Sequence, residues 1–169
     1  MSANVPELLD AWRMVAARRC FDGQVPLSDL PRLQGLVADA EGQCHYALEF
    51  GRDEVLKVAY VELTIDTELP LICQRSMQRF LLPVAIRQRL GLIRDEEEES
   101  ALPPDYEALL VPEDGNLQPL ELVEDELVLA VPVVALAPGS EAVERDWPAT
   151  EEEQSKANPF AALAALKKQ

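Results

Sequence analysis

The stretch ELPLICQRSMQRF, residues 68 to 80, contains a cysteine and several polar and basic residues, which could be half of a metal or redox site. It places Cys73 after a long run of alternating apolar residues and before several polar and basic ones. A zinc or redox site needs a second thiolate or imidazole at ligand spacing, and the residue three positions on is Ser76. Cys73 is therefore predicted to be a small packing residue at a strand junction, and we expect no metal site.

The arginines of the same region offer a different chemistry. No acidic residue lies between Leu69 and Arg94. The odd-numbered positions carry Arg75, Arg79, Arg87 and Arg89, and the even-numbered positions between them carry the apolar Phe80, Leu82, Val84 and Ile86. In a strand these arginines would line the outer face, where guanidinium groups can fork onto RNA phosphates. The alternative is a solvated sheet face, neutralised by the protein's own acidic loop.

Nothing in the sequence indicates catalysis. It contains no Gly-rich phosphate loop, no HExxH and no GxSxG. The single histidine, His45, alternates with Cys44 and Tyr46, which is typical of a surface histidine on a strand. The many carboxylates lie in solvated stretches and are weak evidence for a positioned acid and base. We expect a protein that is not an enzyme, with no catalytic residues and no cofactor.

The charge of the chain is concentrated in one segment. The formal net charge is −16, yet residues 1 to 94 carry eleven Lys/Arg and twelve Asp/Glu, whereas residues 95 to 144 carry fifteen acids and no Lys or Arg. An acidic net charge disfavours contact with nucleic acid, but this inference is weaker here because the excess of acidic residues lies in one segment. The acidic segment 95 to 126 is either a solubilising insertion or a surface for a highly basic partner such as a ribosomal protein.

The composition is typical of a reduced cytosolic protein. Hydrophobic residues make up 48% of the chain, enough to form a core. The longest apolar runs are too short to cross a bilayer, and no secretory signal opens the sequence. The three cysteines are widely spaced and odd in number, so no disulfide framework is expected. We therefore expect cytoplasmic localisation without membrane association.

The helices and strands indicated by the sequence predict an α+β fold. Apolar residues recur at helical spacing from Pro6 to Cys20, and Ser28 can cap a second short helix. A helix near 119–131 begins with Pro119 and ends before Pro132. Three or more antiparallel strands would pack with these helices, because the period changes to two in three stretches, 43 to 50, 55 to 69 and 77 to 90.

The chain is predicted to contain three parts. Residues 1–137 form a single α+β domain, which includes an acidic loop at 94–105. Residues 138–157 are polar and acidic and read as a flexible acidic linker. Residues 158–169 form a short amphipathic C-terminal helix.

The predicted terminal helix needs a surface on which to dock. Asn158 is its N-cap, and Phe160, Leu163 and Leu166 form its apolar stripe. A helix of this length is marginal in isolation. It can dock on its own sheet or enter a groove of a partner, and the sequence leaves both alternatives open.

Four stretches carry a more specific signal: ICQRS at 72 to 76, ALPPDYEALLV at 101 to 111, LELVEDELVLAVPVV at 120 to 134 and NPFAALAALKK at 158 to 168. The most specific parts are the terminal Asn-Pro-Phe with its Leu-rich, Lys-ended continuation, and Glu-Asp-Glu before an apolar run and Pro-Val-Val. Together they resemble the bacterial YceD family, the large ribosomal RNA subunit accumulation proteins. The resemblance covers most of the chain from about residue 19 onward.

This resemblance implies a non-catalytic role in the synthesis, processing or stability of 23S rRNA during large-subunit assembly. It supplies no catalytic residues. The sequence departs from the family at two points: many relatives have a second cysteine where this chain has Ser76, and some have a histidine where it has Ala135 and Leu136. A metal role at these positions is therefore not expected.

We hypothesise a ribosome-biogenesis factor that binds rRNA or a pre-ribosomal particle. Arg75, Arg79, Arg87 and Arg89 would contact rRNA phosphate. The candidates for contact with a partner, such as a basic large-subunit ribosomal protein, are Glu121, Glu124, Asp125, Glu126, Phe160, Leu163 and Leu166. The alternative is an acidic chaperone-like adaptor for a ribosomal protein, without direct RNA contact. A third hypothesis, an rRNA-processing enzyme, lacks a candidate active site.

Overall fold

The computed structural model describes residues 5 to 140, and its elements form an α+β fold, as predicted. In chain order they are β1 (Leu9–Asp10), α1 (Ala11–Ala16), β2 (Cys20–Pro26), β3 (Gln43–Arg52), β4 (Ala59–Ile72), β5 (Arg79–Ile93), β6 (Glu107–Leu110), β7 (Asn116–Leu117) and α2 (Pro119–Ala130). Strands β2 to β6 form one sheet in that order, and β1 pairs with β7 in a separate two-stranded ribbon.

The alternation of apolar residues sets which face of the sheet is buried. Leu48 of β3 lies opposite Leu63 of β4, and both are fully buried. The residues predicted to point inward from the third strand do pack against the core: Phe80, Leu82, Val84 and Ile86. The intervening positions are exposed, because successive side chains of a strand leave opposite faces.

Two glycines are covered by tyrosine rings from the neighbouring strand. Gly23 of β2 lies opposite Tyr46 of β3, and Gly51 of β3 lies opposite Tyr60 of β4. A Cβ atom at Gly23 would lie 2.6 Å from Cζ of Tyr46, and one at Gly51 would lie 2.7 Å from the hydroxyl oxygen of Tyr60. No side chain fits at either position unless the ring moves.

The N-terminal helices are shorter than their apolar spacing suggests. Helix α1 has six residues, and the Asp10 carboxylate accepts a hydrogen bond from its Arg13 N–H at 3.0 Å. The second predicted helix is instead a 3-10 turn at Leu27–Asp29 followed by further turns. Pro31 disfavours helical backbone at the preceding residue, and Leu30 has a φ of −109° and a ψ of 89°. Gly35 has a φ of 90°, so an α-helix does not continue through this segment.

The acidic loop is a crossover between two parallel strands. The Asp95 side chain caps a 3-10 helix at Glu96–Ala101, and the chain then enters β6. Because β6 runs parallel to β5, the five-stranded sheet is mixed, whereas the sequence pattern predicted only antiparallel strands. Parallel neighbours require a connection that returns to the starting end, and the acidic loop supplies it.

Helix α2 begins and ends close to the predicted residues. Pro119 is its first residue, and the helix stops at Ala130, before Pro132. Val123 and Leu127 on its inner side are fully buried. No helix within residues 5 to 140 has the length and apolar character that crossing a bilayer requires.

Candidate nucleic-acid interface

Two of the predicted arginines share one buried carboxylate. Glu62 of β4 is 7% exposed, and its two oxygens accept from Arg87 Nη2 at 2.6 Å and from Arg89 Nε at 2.8 Å. Arg89, then Arg87, lowers the pKa of Glu62. The side chains of Arg87 and Arg89 remain 74% and 47% exposed. Two cations on one carboxylate leave a net positive charge, with donors that face solvent.

Arg79 is more completely neutralised. Its guanidinium donates to both oxygens of Asp39, at 2.6 and 3.1 Å, and lies 3.4 Å from an oxygen of Glu41. This bidentate pair lowers the pKa of Asp39. The acids that balance these arginines therefore come from β4 and from the loop before β3, and not from the acidic loop.

Arg75 lies outside the strand. It belongs to the turn between β4 and β5, where its Nη1 donates to the carbonyl oxygen of Ser140. Only Arg79, Arg87 and Arg89 are residues of β5. The four arginines therefore do not form one continuous stripe.

A second group of cations, missed by the sequence pattern, surrounds a cleft beside α1. The cleft has a volume of about 710 Å³, and its charged lining residues are Arg18, Arg52, Lys57, Arg94, Glu54 and Glu98. They come from the segment after α1, from the end of β3 and the β3–β4 turn, from the residue after β5 and from the acidic loop. Because they lie in four separate segments, no run of basic residues indicates the cleft, and only the strand register brings them together.

The cations of this cleft outnumber its carboxylates. Arg18 and Lys57 share Glu54, at 2.5 and 3.9 Å. The guanidinium of Arg94 lies 4.7 Å from the centre of the Trp12 ring, a cation–π contact. Within residues 5 to 140, neither Arg52 nor Arg94 forms an ion pair with a carboxylate.

Some of the acidic residues predicted to contact a partner instead form contacts within the protein. Glu124 is 5% exposed and accepts from the backbone N–H of Arg32 at 2.6 Å and from its Nε at 2.9 Å. Asp125 pairs with the same guanidinium. Glu121 is exposed, and burial, followed by the nearby Glu107 and Asp125, raises the pKa of Glu126. The other candidates, Phe160, Leu163 and Leu166, lie outside the described residues.

Cys73 is fully buried at the end of β4, as predicted. Its Sγ accepts from the Ser76 N–H at 3.5 Å and lies 3.4 Å from Oγ of Ser140. Enclosure alone would raise the pKa of a thiol, but a backbone hydrogen bond from Ala137 and the contacts with Ser140 and Ser76 lower that of Cys73 to about 6. In the described part of the chain, no three His, Cys, Asp or Glu residues form a group suited to a metal ion.

Comparison with known proteins assigns the family. The family model described as "Large ribosomal RNA subunit accumulation protein YceD" matches residues 61 to 167, from β4 through α2 to the terminal Asn-Pro-Phe segment. The protein of that name from Haemophilus influenzae is 26% identical, and the alignment covers 97% of each chain. No solved structure matches. The chain therefore belongs to the YceD family of large ribosomal RNA subunit accumulation proteins.

Proposed function

We propose that this protein is a non-catalytic binding factor that supports the accumulation of large-subunit rRNA and contacts rRNA phosphates directly. The family assignment supports the link to rRNA. The observation that carries the direct contact is the cleft beside α1, where four cations face two carboxylates in a protein of net charge −16. Phosphate contacts need uncompensated cations that reach solvent.

One cation of the cleft, Arg94, is restrained by an aromatic ring. Arg94 lies against Trp12, which restricts its side chain before any ligand arrives, so less conformational entropy is lost on binding. Arg52 is exposed and makes no ion pair in the described residues. Exposed guanidinium groups beside an aromatic ring are the combination that single-stranded nucleic acid favours.

The acidic loop limits the direction from which a polyanion can approach. Part of its charge is engaged with the chain itself, because Asp95 caps the 3-10 helix and the Glu98 carboxylate accepts from the Arg94 N–H at 2.9 Å. The acidic loop lines the cleft through Glu98, Ala101 and Leu102, so its remaining exposed acids would repel phosphate on that side. An RNA strand would therefore enter from the side of α1 and the β3–β4 turn.

The arginines predicted from the sequence divide into two pairs. Arg87 and Arg89 keep one uncompensated positive charge and would extend the RNA contact along β5. Arg75 and Arg79 are held by Ser140 and Asp39, so we expect a smaller contribution from them. These two pairs remove the same formal charge when substituted, which makes them suitable for a controlled comparison.

The test is the binding of a large-subunit rRNA fragment to the full chain at several salt concentrations. Arg52→Ala with Arg94→Ala is expected to weaken binding about tenfold and to reduce the salt slope by about one to two. Arg87→Ala with Arg89→Ala should have a similar but smaller effect. Arg75→Ala with Arg79→Ala is the charge-matched control. Equal losses in all three double variants would mean that net charge alone matters, and unchanged binding would remove direct RNA contact.

A second candidate function is an acidic adaptor for a basic ribosomal protein. It is favoured by the exposed acids of the crossover, Glu96 to Glu99, and by Glu121, none of which pairs with a cation in the described residues. Affinity capture before and after nuclease treatment separates the two functions. A basic ribosomal protein that remains bound after RNA removal and is lost when Glu96, Glu97 and Glu99 become Gln supports the adaptor.

A further inference from the structure

An apolar groove lies between the β4–β5 turn and the end of α2. It has a volume of about 600 Å³, and its walls include Leu36, Ile72, Met77, Val128, Val131 and Val133. Met77 is 74% exposed and Val133 is 95% exposed. Contiguous apolar side chains on a protein surface are usually a site that another segment or molecule covers.

The described chain ends beside this groove. After α2 it runs along the β4–β5 turn, where the Gln74 N–H donates to the Ala135 carbonyl at 2.8 Å and Gln74 Nε2 donates to the Val133 carbonyl at 3.2 Å. Ser140 then lies against Cys73 and Arg75. Since Gln74 itself lines the groove, the segment that follows Ser140 starts next to the groove wall.

The length of the following segment suits a return to the groove. About 17 residues separate Ser140 from Asn158, and a flexible chain of that length has a root-mean-square end-to-end distance of roughly 20 to 25 Å. That distance is comparable to the width of a small domain. A tethered segment therefore meets the groove at an effective concentration in the millimolar range.

The terminal segment has the matching chemistry. Phe160, Leu163 and Leu166 recur every three residues, and Lys167 and Lys168 place charge beyond the apolar part. A short amphipathic segment gains most of its stability from docking, because its isolated helix is marginal. The family match extends through residue 167, so α2, the β4–β5 hairpin and this segment belong to the same family unit.

We propose that residues 158 to 168 dock on their own chain, with Phe160, Leu163 and Leu166 in the apolar groove beside Ile72, Met77 and Val133. The occupant is the protein's own terminal segment, joined to Ser140 by residues 141 to 157. This assignment does not depend on the RNA contact proposed above, because none of the cleft cations lines the groove.

Disulfide trapping in the full chain tests the docking. In a Cys20→Ser background, Met77→Cys with Leu163→Cys should form an intramolecular disulfide at least about tenfold faster than a control pair. The control is Val55→Cys with Leu163→Cys, since Val55 is 89% exposed in the turn at the other end of β4. Trapping no faster than the control, or a disulfide that joins two copies, would overturn the proposal.

Methyl NMR supplies a second readout that needs no crosslink. The methyl resonance of Met77 should shift toward the position of a solvated methionine when Phe160, Leu163 and Leu166 are changed to Ala. Met14, a residue of α1 that packs against the core, is the internal control, and its resonance should not move. A Met77 resonance that is unchanged in the triple variant contradicts docking in the groove.

Discussion

Asp53 and Cys73 occupy equivalent positions in two turns at opposite ends of β4. The N–H of each donates to the carbonyl five residues on, at 2.8 Å for Val58 and 2.9 Å for Gln78. The side chain of each accepts from the N–H three residues on, at 2.8 Å for Asp53 and 3.5 Å for Cys73. The sulfur of Cys73 thus takes the place that a carboxylate takes in the other turn.

The equivalence predicts that Cys73 titrates as an acidic thiol. Its pKa is about 6, whereas burial raises that of Cys44 to about 11, so the two titrations are separated. In a Cys20→Ser background, the ultraviolet absorbance of thiolate should rise in a step near pH 6. Ser140→Ala should move the step upward, because it removes the side-chain contact with Ser140 that lowers the pKa of Cys73. A single step near the ordinary thiol pKa would contradict the prediction.

The same group makes stability depend on pH. The folded pKa of Cys73 lies below its ordinary value of 9.0, so its contribution is fully present above about pH 9 and is lost as the pH falls toward 6. The difference in free energy of unfolding between the wild type and Cys73→Ser should therefore become smaller as the pH falls from about 9 to about 6. Urea denaturation at several pH values measures it.

Glu62→Gln should destabilise the protein most at neutral pH. The variant loses the buried charge that holds Arg87 and Arg89, and we expect a cost of about 1 to 3 kcal/mol at pH 7. Since the folded pKa of Glu62 is lowered, its contribution is present above the ordinary value of 4.5 and is lost as the pH falls below it. Urea denaturation at pH 7 and pH 3 should show a smaller cost at pH 3 than at pH 7.

Glu68→Gln provides the matched control for this prediction. Glu68 lies on the same outer face of β4, is exposed and forms no ion pair among the described residues. Its substitution should change the free energy of unfolding by less than about 0.5 kcal/mol at either pH. Similar effects at both positions would argue against a specific role for the Glu62 cluster.

The Glu124→Ala variant should have a lower urea midpoint of unfolding than the wild type. The substitution removes the carboxylate that accepts from the backbone N–H and the guanidinium of Arg32. These hydrogen bonds join the loop before β3 to α2. We expect a loss of about 1 to 3 kcal/mol in the free energy of unfolding. Glu121→Ala, one turn earlier and exposed, should cost less than about 0.5 kcal/mol. If both variants unfold alike, the buried contact contributes nothing measurable.

Gly23→Ala should destabilise the sheet through Tyr46. The new methyl group would overlap the tyrosine ring, and overpacking of this kind typically costs about 1 to 3 kcal/mol. The same change in a Tyr46→Leu background should cost less, because the ring that it meets is gone. A double-mutant cycle measured by thermal or urea unfolding gives the coupling between the two residues, and a coupling near zero would refute the contact.

Much of the sheet could be predicted because its periodicity is local. The alternation of Phe80, Leu82, Val84 and Ile86 identifies β5 and its inner face without knowledge of the neighbouring strands. The prolines around α2 mark its two ends in the same way. The prediction of a second N-terminal helix is wrong because Pro31 disfavours helical backbone at Leu30 and Gly35 adopts a positive φ, two local effects that apolar spacing does not register.

The electrostatics of the candidate interface could not be predicted in the same way. Whether an arginine is paired depends on residues far away in the chain, such as Asp39 for Arg79 and Glu62 for Arg87. The basic cleft likewise depends on the register of two hairpins. The sequence predicted a packed Cys73, but its neighbour Ser140 lies 67 residues away and gives the sulfur an environment that no motif indicates.

Because β6 is short, the arginines of β5 also lie along an open edge of the sheet. Strand β6 pairs with Leu90 to Ile93 only, so within residues 5 to 140 the rest of β5 is an edge with unpaired backbone groups. Such an edge can recruit a strand from another molecule and begin aggregation. Arg79, Arg87 and Arg89, with Pro83 between them, lie along this edge. Their charges and the missing proline N–H discourage a foreign strand from pairing with this open edge of the sheet.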